Sequence, residues 1–281
     1  MKKLFVFGHN ISYSISPAIC NAALGVMKLD WHYALWDMPA EEVPQAVATL
    51  RADDYIGANV TIPHKEIVFR LMDELSETAR LAQAVNTIIN RGGRLVGDNT
   101  DGIGFMLALR DAGIHPRGAH VVIVGAGGAA RGVAFALAHA GAASITLLNR
   151  TQSRAVALAD ELRHEAPQLV AAADLAGMPA NPALVVNSLP ASVPLDLRSL
   201  RLSPDMLAFD LSYRPAETPF MRYAAGQGAR VTNGLSMLVY QGAASLKLWT
   251  GREPDVKVMF EAAYKVVTPP STPSPTSPEN R

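Results

Sequence analysis

The sequence predicts an α/β protein of two domains, the second built on a parallel sheet. Three observations carry that reading. Apolar, β-branched runs alternate with helical stretches along most of the chain, as strands joined by crossover helices do. One such run, Val121-Val122-Ile123-Val124, leads directly into a glycine-rich turn, Gly125-Ala126-Gly127-Gly128-Ala129-Ala130. The length, 281 residues, suits two domains of ordinary size.

Taken in order, residues 4–8 are apolar and predict a first strand. Ser16-Pro17 opens a helix to about Met27, with serine as cap and proline at the first helical position. Residues 32–36 predict a second strand, 41–51 a helix, 57–61 a third strand, and 63 to about 71 another helix. Residues 85–90 and 94–98 predict a hairpin around Arg91-Gly92-Gly93. A helix over 102–112 leads through Gly113-Ile114-His115-Pro116 to the strand at 121–124. Beyond the glycine turn come a helix at about 130–140, a strand at 145–148, a helix at 151–164, and strands at 183–187 and 208–211. Pro179, Pro182, Pro190 and Pro194 punctuate the connections, as loops require. Residues 235–249 are helical and too apolar to lie exposed, so they are expected to return onto the first domain. The expected division is 1–102 completed by 238–265, then 103–237, then a disordered tail at 268–281 rich in Pro, Ser and Thr.

Composition narrows the function. Lys and Arg total 25, as do Asp and Glu, which leaves no net charge to attract a nucleic acid. Cys20 is the only cysteine, excluding an internal disulfide and a cysteine-based zinc site and pointing to a reducing cytoplasm. The apolar start is too short for a signal peptide, and every longer apolar segment is interrupted, so no membrane span is expected. The histidines are too scattered to predict a metal site.

The glycine turn lies between a buried strand and a helix, the context that makes G-x-G-x-x-A informative. Gly125 permits the sharp turn, Gly127 lets backbone approach a pyrophosphate, and the following helix offers that anion its positive N-terminus. An NAD-binding unit carries Asp or Glu at the end of its second strand, for the ribose hydroxyl. Here that position reads Asn149-Arg150-Thr151, with Arg154 close behind. An arginine fork matches a phosphate, so NADP is the predicted cofactor. The blander alternative is an ordinary α/β turn with two surface arginines.

A wider set of stretches then falls into place. Ser14-x-Ser16-Pro17 follows Gly8, and Asn59-Val60-Thr61-Ile62-Pro63-His64-Lys65 follows that. Ala84-Val85-Asn86-Thr87 and Gly97-Asp98-Asn99-Thr100-Asp101-Gly102 precede the glycine turn. After Asn149-Arg150-Thr151 come Asn233-Gly234 and Met237-Leu238-Val239-Tyr240-Gln241. In this order they resemble the shikimate dehydrogenase family, over nearly everything before the tail. The resemblance implies reversible NADP-dependent interconversion of shikimate and 3-dehydroshikimate, a step of aromatic amino-acid biosynthesis, by a monomer or homodimer.

It also implies residue roles. Lys65 and Asp101 are the expected catalytic pair. A lysine just inside a helix start calls for a neighbouring carboxylate, and its ammonium can stabilise and protonate the alkoxide formed on ketone reduction. Ser14 and Ser16 are expected at the substrate carboxylate, with Thr61 and Tyr213 nearby and Asn86 and Gln241 at the ring hydroxyls. Gly125, Ala126, Gly127, Gly128, Ala129, Asn149, Arg150, Thr151, Arg154 and Gly234 are expected at the cofactor.

Each has a plainer alternative: Ser16 and Asp101 as helix caps, Lys65 as a solvated surface charge, Thr61 as a strand end, Tyr213 as a core aromatic. His64 is expected to pack or lie at the surface. The chain departs from the family pattern at Asn187-Ser188-Leu189-Pro190-Ala191, where Asn-Ala-Thr-Ser followed by Gly is usual. His9-Asn10 stands where Asn-Pro is common and Tyr13 where His is common. Alternatives to the implied activity are a paralogue acting on quinate or an amino analogue, a methylenetetrahydrofolate dehydrogenase-like enzyme, and a ligand-binding regulator without turnover.

Overall fold

The computed structural model describes residues 1–165, 170–172, 182–190, 193 and 200–268. Of the expected tail only Thr268 falls among them, and Pro179, Pro194 and Ala191 also lie outside.

The first part runs β1 (Lys2–Gly8), α1 (Ser16–Val26), β2 (Trp31–Asp37), a 3-10 turn, α2 (Val43–Thr49), β3 (Tyr55–Val60), α3 (Lys65–Phe69), β4 (Glu74–Leu75), α4 (Glu77–Ala82), β5 (Thr87–Arg91), β6 (Arg94–Asp98) and α5 (Asp101–Asp111). The six strands form one sheet in the order β2-β1-β3-β5-β6-β4. β1 runs parallel to β2 and β3, β5 runs antiparallel to both β3 and β6, and β6 pairs with β4 in parallel. The β5–β6 turn, Gly92-Gly93, has positive φ at both residues, and so tight a reversal leaves no room for a crossover. This sheet is therefore mixed, as the hairpin expected over residues 85–98 requires.

The second part runs β7 (His120–Val124), α6 (Gly128–His139), β8 (Ser144–Leu148), α7 (Gln152–Glu165), β9 (Val170–Ala172), β10 (Leu184–Asn187), β11 (Leu207–Asp210), α8 (Pro219–Gly226) and β12 (Arg230–Thr232). All six strands are parallel, ordered β12-β11-β10-β7-β8-β9. The chain winds outward from β7 in one direction and then from β10 in the other. The crevice between the C-terminal ends of β7 and β10 is thus the switch point where doubly wound sheets bind ligands.

Two helices close the described chain, α9 (Leu235–Thr250) and α10 (Val256–Val267). Val239, Ala243, Leu246 and Trp249 of α9 bury against Leu4 and Val6 of β1 and Ile19 and Ala23 of α1. The chain thus returns to the first sheet, as the apolarity of 235–249 predicts. The opposite face of that sheet is filled by Phe7, Val60 and Ile88 against Val43, Val47 and Val68. α5 packs against both α9 and α6, joining the two parts. Among the described residues no helix is long and apolar enough to cross a membrane.

Candidate active site

Three elements of the first part bring their ends together. Lys65 is the first residue of α3, and its carbonyl accepts from Val85 N at 3.0 Å. Asp101 is the first residue of α5, not its cap: the Asn99 side chain accepts from Asp101 N at 3.1 Å. Asn99 therefore serves the backbone and leaves the Asp101 carboxylate free at the helix N-terminus, where an anion is favoured. Lys65 Nζ donates to Asp101 Oδ2 at 2.6 Å, with only 16% of the lysine side chain and 6% of the aspartate exposed. Lys65 is thus no solvated surface charge.

Asn86 Nδ2 donates to the other carboxylate oxygen, Asp101 Oδ1, at 2.8 Å. The amide can point only one way, because its oxygen accepts from Thr100 N at 2.8 Å. Beneath it lies a buried polar layer. Ser245 Oγ lies 2.8 Å from Thr87 Oγ1 and 3.2 Å from Thr100 Oγ1, and it accepts from Asn59 Nδ2 at 2.9 Å. Tyr33 donates to Asn59 Oδ1 at 2.8 Å, completing the amide's partners. A layer satisfied in this way holds its members in one arrangement.

Above the pair opens a cleft of about 540 Å³. Ser14, Ser16, Thr61, Tyr213 and Gln241 line it with Lys65 and Asp101, while Ala129, Ser188, Leu189, Pro190 and Gly234 line it from the cofactor side. Asn86 does not line the cleft; it is 2% exposed and reaches it only through Asp101 and a 3.4 Å contact to Gln241 Oε1. Asn59 and Arg214 do line it, and neither was among the expected site residues. Asn59 stands in the same motif as Thr61 and Lys65, which was the available signal; Arg214 had none.

Ser16 is not a helix cap. It is the first residue of α1, Ile15 holds the cap position, and no side-chain hydrogen bond caps that end. Ser14 Oγ accepts from Ser16 N at 3.4 Å and donates to Ser16 Oγ at 3.3 Å, so the two hydroxyls sit together. Tyr213 closes this end. Burial pushes its hydroxyl above its ordinary range, while contacts with the Ile15 backbone, Arg214 and Ser14 oppose the shift. It therefore remains a neutral hydroxyl. His64 is fully buried, its Nε2 2.9 Å from the Met38 carbonyl, which fits packing and excludes the surface.

At the switch point Gly125 has φ of +114°, and a Cβ there would meet Ser188 Oγ at 2.1 Å. Only glycine fits. Gly127 is the cap of α6, with open space where a side chain would stand, and Gly128 opens the helix. Ala129 lines the cleft and Ala126 packs against the core below, and this turn at a helix N-terminus fits a pyrophosphate. Gly234, the cap of α9, is equally constrained: a Cβ would lie 2.0 Å from Leu211 O. At the end of β8, Asn149 Nδ2 closes a turn onto Thr151 O at 2.9 Å. Arg150, Thr151 and Arg154 are exposed there, and neither arginine's guanidinium has a hydrogen bond or ion pair among the described residues. The donor set suits a ribose phosphate. No cluster of three or more metal-ligating side chains occurs among the described residues.

A doubly wound parallel sheet facing a second α/β unit, with an ion-paired lysine at the floor of the cleft between them, defines a nicotinamide-nucleotide-dependent dehydrogenase. Comparison with known proteins supports that class. Three family descriptions match: the shikimate dehydrogenase substrate-binding domain over residues 6–88, shikimate/quinate 5-dehydrogenase over 107–203, and the shikimate 5'-dehydrogenase C-terminal domain over 234–264. The shikimate dehydrogenase (NADP+) of Symbiobacterium thermophilum is 42% identical over 272 residues, 92% of either chain. The Thermus thermophilus enzyme, solved with NADP(H) and shikimate, superposes with a TM-score of 0.84 at 38% identity, covering 95% of this chain and 100% of that one. Another shikimate dehydrogenase, solved with NADP+, gives a TM-score of 0.85 at 35% identity over 96% of both. The chain belongs to the shikimate dehydrogenase family.

Proposed function

We propose that this chain catalyses the reversible, NADP-dependent reduction of 3-dehydroshikimate to shikimate, the step that serves aromatic amino-acid biosynthesis. The observation that carries the reading is the Lys65–Asp101 pair, 2.6 Å long and largely withdrawn from water, at the floor of a cleft walled by hydroxyls and amides. NADP, when bound, supplies the hydride. Lys65 Nζ faces the substrate oxygen, holds the negative charge that grows on it and delivers a proton. Asp101 anchors the ammonium through one oxygen, and Asn86 holds the carboxylate through the other.

Ser14, Ser16 and Tyr213 take the substrate carboxylate, while Thr61 and Gln241 pair with ring hydroxyls. Such pairing gives specificity, because a buried hydroxyl left alone is costly. Gly125 to Ala129 and Gly234 hold the dinucleotide backbone, and Asn149, Arg150, Thr151 and Arg154 hold the 2′-phosphate. We take 1–102 completed by 238–265 as the substrate domain and 103–237 as the cofactor domain, working in the cytoplasm.

The test is NADP reduction followed spectrophotometrically with shikimate and quinate side by side. Turnover of shikimate with a kcat/KM well above that for quinate supports the reading. Preference for quinate makes the chain a quinate paralogue, and turnover of neither removes the assignment.

A further inference from the structure

Among the described residues, three charged side chains line the cleft: Lys65, Asp101 and Arg214. The first two neutralise each other at 2.6 Å. Arg214 carries the charge that is left. Its Nη2 makes one long hydrogen bond, 3.4 Å, to the carbonyl of Val266 in the last turn of α10. No carboxylate pairs with it among the described residues. It follows Tyr213 directly, and both line the cleft together with Ser14 and Ser16; the positive charge of Arg214 opposes the upward shift of the Tyr213 hydroxyl. The end of the cleft built from Ser14, Ser16 and Tyr213 therefore offers neutral hydroxyls under one uncompensated positive charge.

We propose that Arg214 is a specificity determinant, whose charge selects substrates carrying an anionic group at the Ser14 end over neutral ring polyols. The proposal rests on the dehydrogenase reading above. Hydroxyls bond a carboxylate, an ester or an alcohol with little preference among them, so they orient a ligand without reading its charge. A guanidinium with no carboxylate partner adds a preference for negative charge. Arg214 is exposed, so its field is screened by salt and acts on encounter and ground-state binding. It lies outside the reacting pair and has no part in proton transfer.

The experiment compares shikimate with its neutral methyl ester, each at low and high ionic strength, in the unmodified enzyme, Arg214→Gln and Arg214→Lys. At low salt Arg214→Gln raises the KM for shikimate about two- to fivefold, the range expected of an exposed charge. It leaves kcat and the KM for the ester unchanged. Arg214→Lys retains the low KM, and high salt brings the unmodified enzyme to the value of Arg214→Gln. Equal losses on acid and ester, a loss that high salt does not erase, or no loss at all would each overturn the proposal. Failure of the unmodified enzyme to oxidise shikimate overturns the dehydrogenase reading as well, and is seen before any variant is compared.

Discussion

Asn86 and Asp101 meet at 2.8 Å on the carboxylate oxygen that Lys65 leaves unused. The aspartate is thereby held from two sides, by a cation above and an amide below. The amide has no freedom to turn, since the Thr100 N–H occupies its oxygen. A lysine whose partner is fixed in this way presents its Nζ to the cleft in one position, the condition for stabilising charge without reorganisation.

Asn86→Ala therefore lowers kcat even though Asn86 does not line the cleft. A lost hydrogen bond to a charged group is worth about 1.5–3 kcal/mol, or roughly 10- to 100-fold if felt wholly at Lys65. The KM for shikimate changes less than kcat. A variant with full kcat and a lowered melting temperature would make Asn86 a purely structural residue.

Lys65→Ala removes the proposed proton donor itself. Loss of a general acid–base group typically costs about 10²–10⁴-fold in rate, and the loss falls on kcat because the group acts most strongly in the transition state. NADP affinity, measured by fluorescence titration, stays the same. Retention of most of kcat would remove Lys65 from the chemistry.

Ser14→Ala with Ser16→Ala weakens shikimate binding and leaves NADP binding nearly unchanged. Because Ser16 caps nothing, the loss of about 1 kcal/mol that attends removal of a helix cap is not expected from that residue. Calorimetric titration with shikimate and a thermal melt separate the two effects. Unchanged affinity in the folded double variant would reduce both serines to structural roles.

What could be read in advance followed physical strength of signal. The β7–turn–α6 unit was legible because a buried strand, a strained glycine and a helix start are each dictated locally. The return of α9 was legible because fifteen or so apolar-rich residues must find a core. The β5–β6 hairpin was legible from its Arg91-Gly92-Gly93 turn, but its place beside β3 depends on which neighbours it finds, and alternation of strand and helix does not report that. Three helices went unread although their caps are plain in hindsight: Ser76 accepts from Ala79 N at α4, Thr218 from Met221 N at α8, and Asp255 from Lys257 N and Val258 N at α10. At the site, motif residues converged, whereas Ser16 and Asp101 are first helical residues and not caps, and the side chains that turn back to their backbone N–H groups are those of Ser14 and Asn99. Sequence alone does not say which of two adjacent polar residues turns back to the chain.

The hairpin beneath Asn86 supplies a pH test. Arg51 bonds both Asp73 oxygens, and with the Leu95 N–H it lowers that carboxyl from 3.8 to about 2. A carboxyl lowered by folding contributes stability above its unfolded value and loses it as pH falls through the folded one. The difference in melting temperature between the unmodified protein and Arg51→Met should therefore be constant above about pH 5 and shrink between about pH 4 and 2. A difference independent of pH would mean that Arg51 acts through packing.

Cofactor choice is the sharpest test of the β8 end. Asn149, Arg150 and Arg154 stand where an NAD-specific unit would present a carboxylate, and both guanidinium groups are exposed and unpaired among the described residues. A 2′-phosphate between them gains charge-assisted hydrogen bonds, each worth roughly 1.5–3 kcal/mol. NAD leaves the arginines to water and gains nothing. NADP is thus preferred by at least about tenfold in kcat/KM, since ~1.4 kcal/mol already gives that ratio. Asn149→Asp with Arg150→Ala reverses the preference, because the new carboxylate repels the phosphate and accepts from the ribose hydroxyl. The Ser188-Leu189-Pro190 segment lines the cleft with Lys65 and Asp101, which Asn149, Arg150 and Arg154 do not, so changes there are expected to move NAD and NADP kinetics together. Steady-state kinetics with each cofactor, at fixed shikimate, measure the ratio. Equal efficiency with NAD and NADP in the unmodified enzyme would deny Arg150 and Arg154 a phosphate to bind.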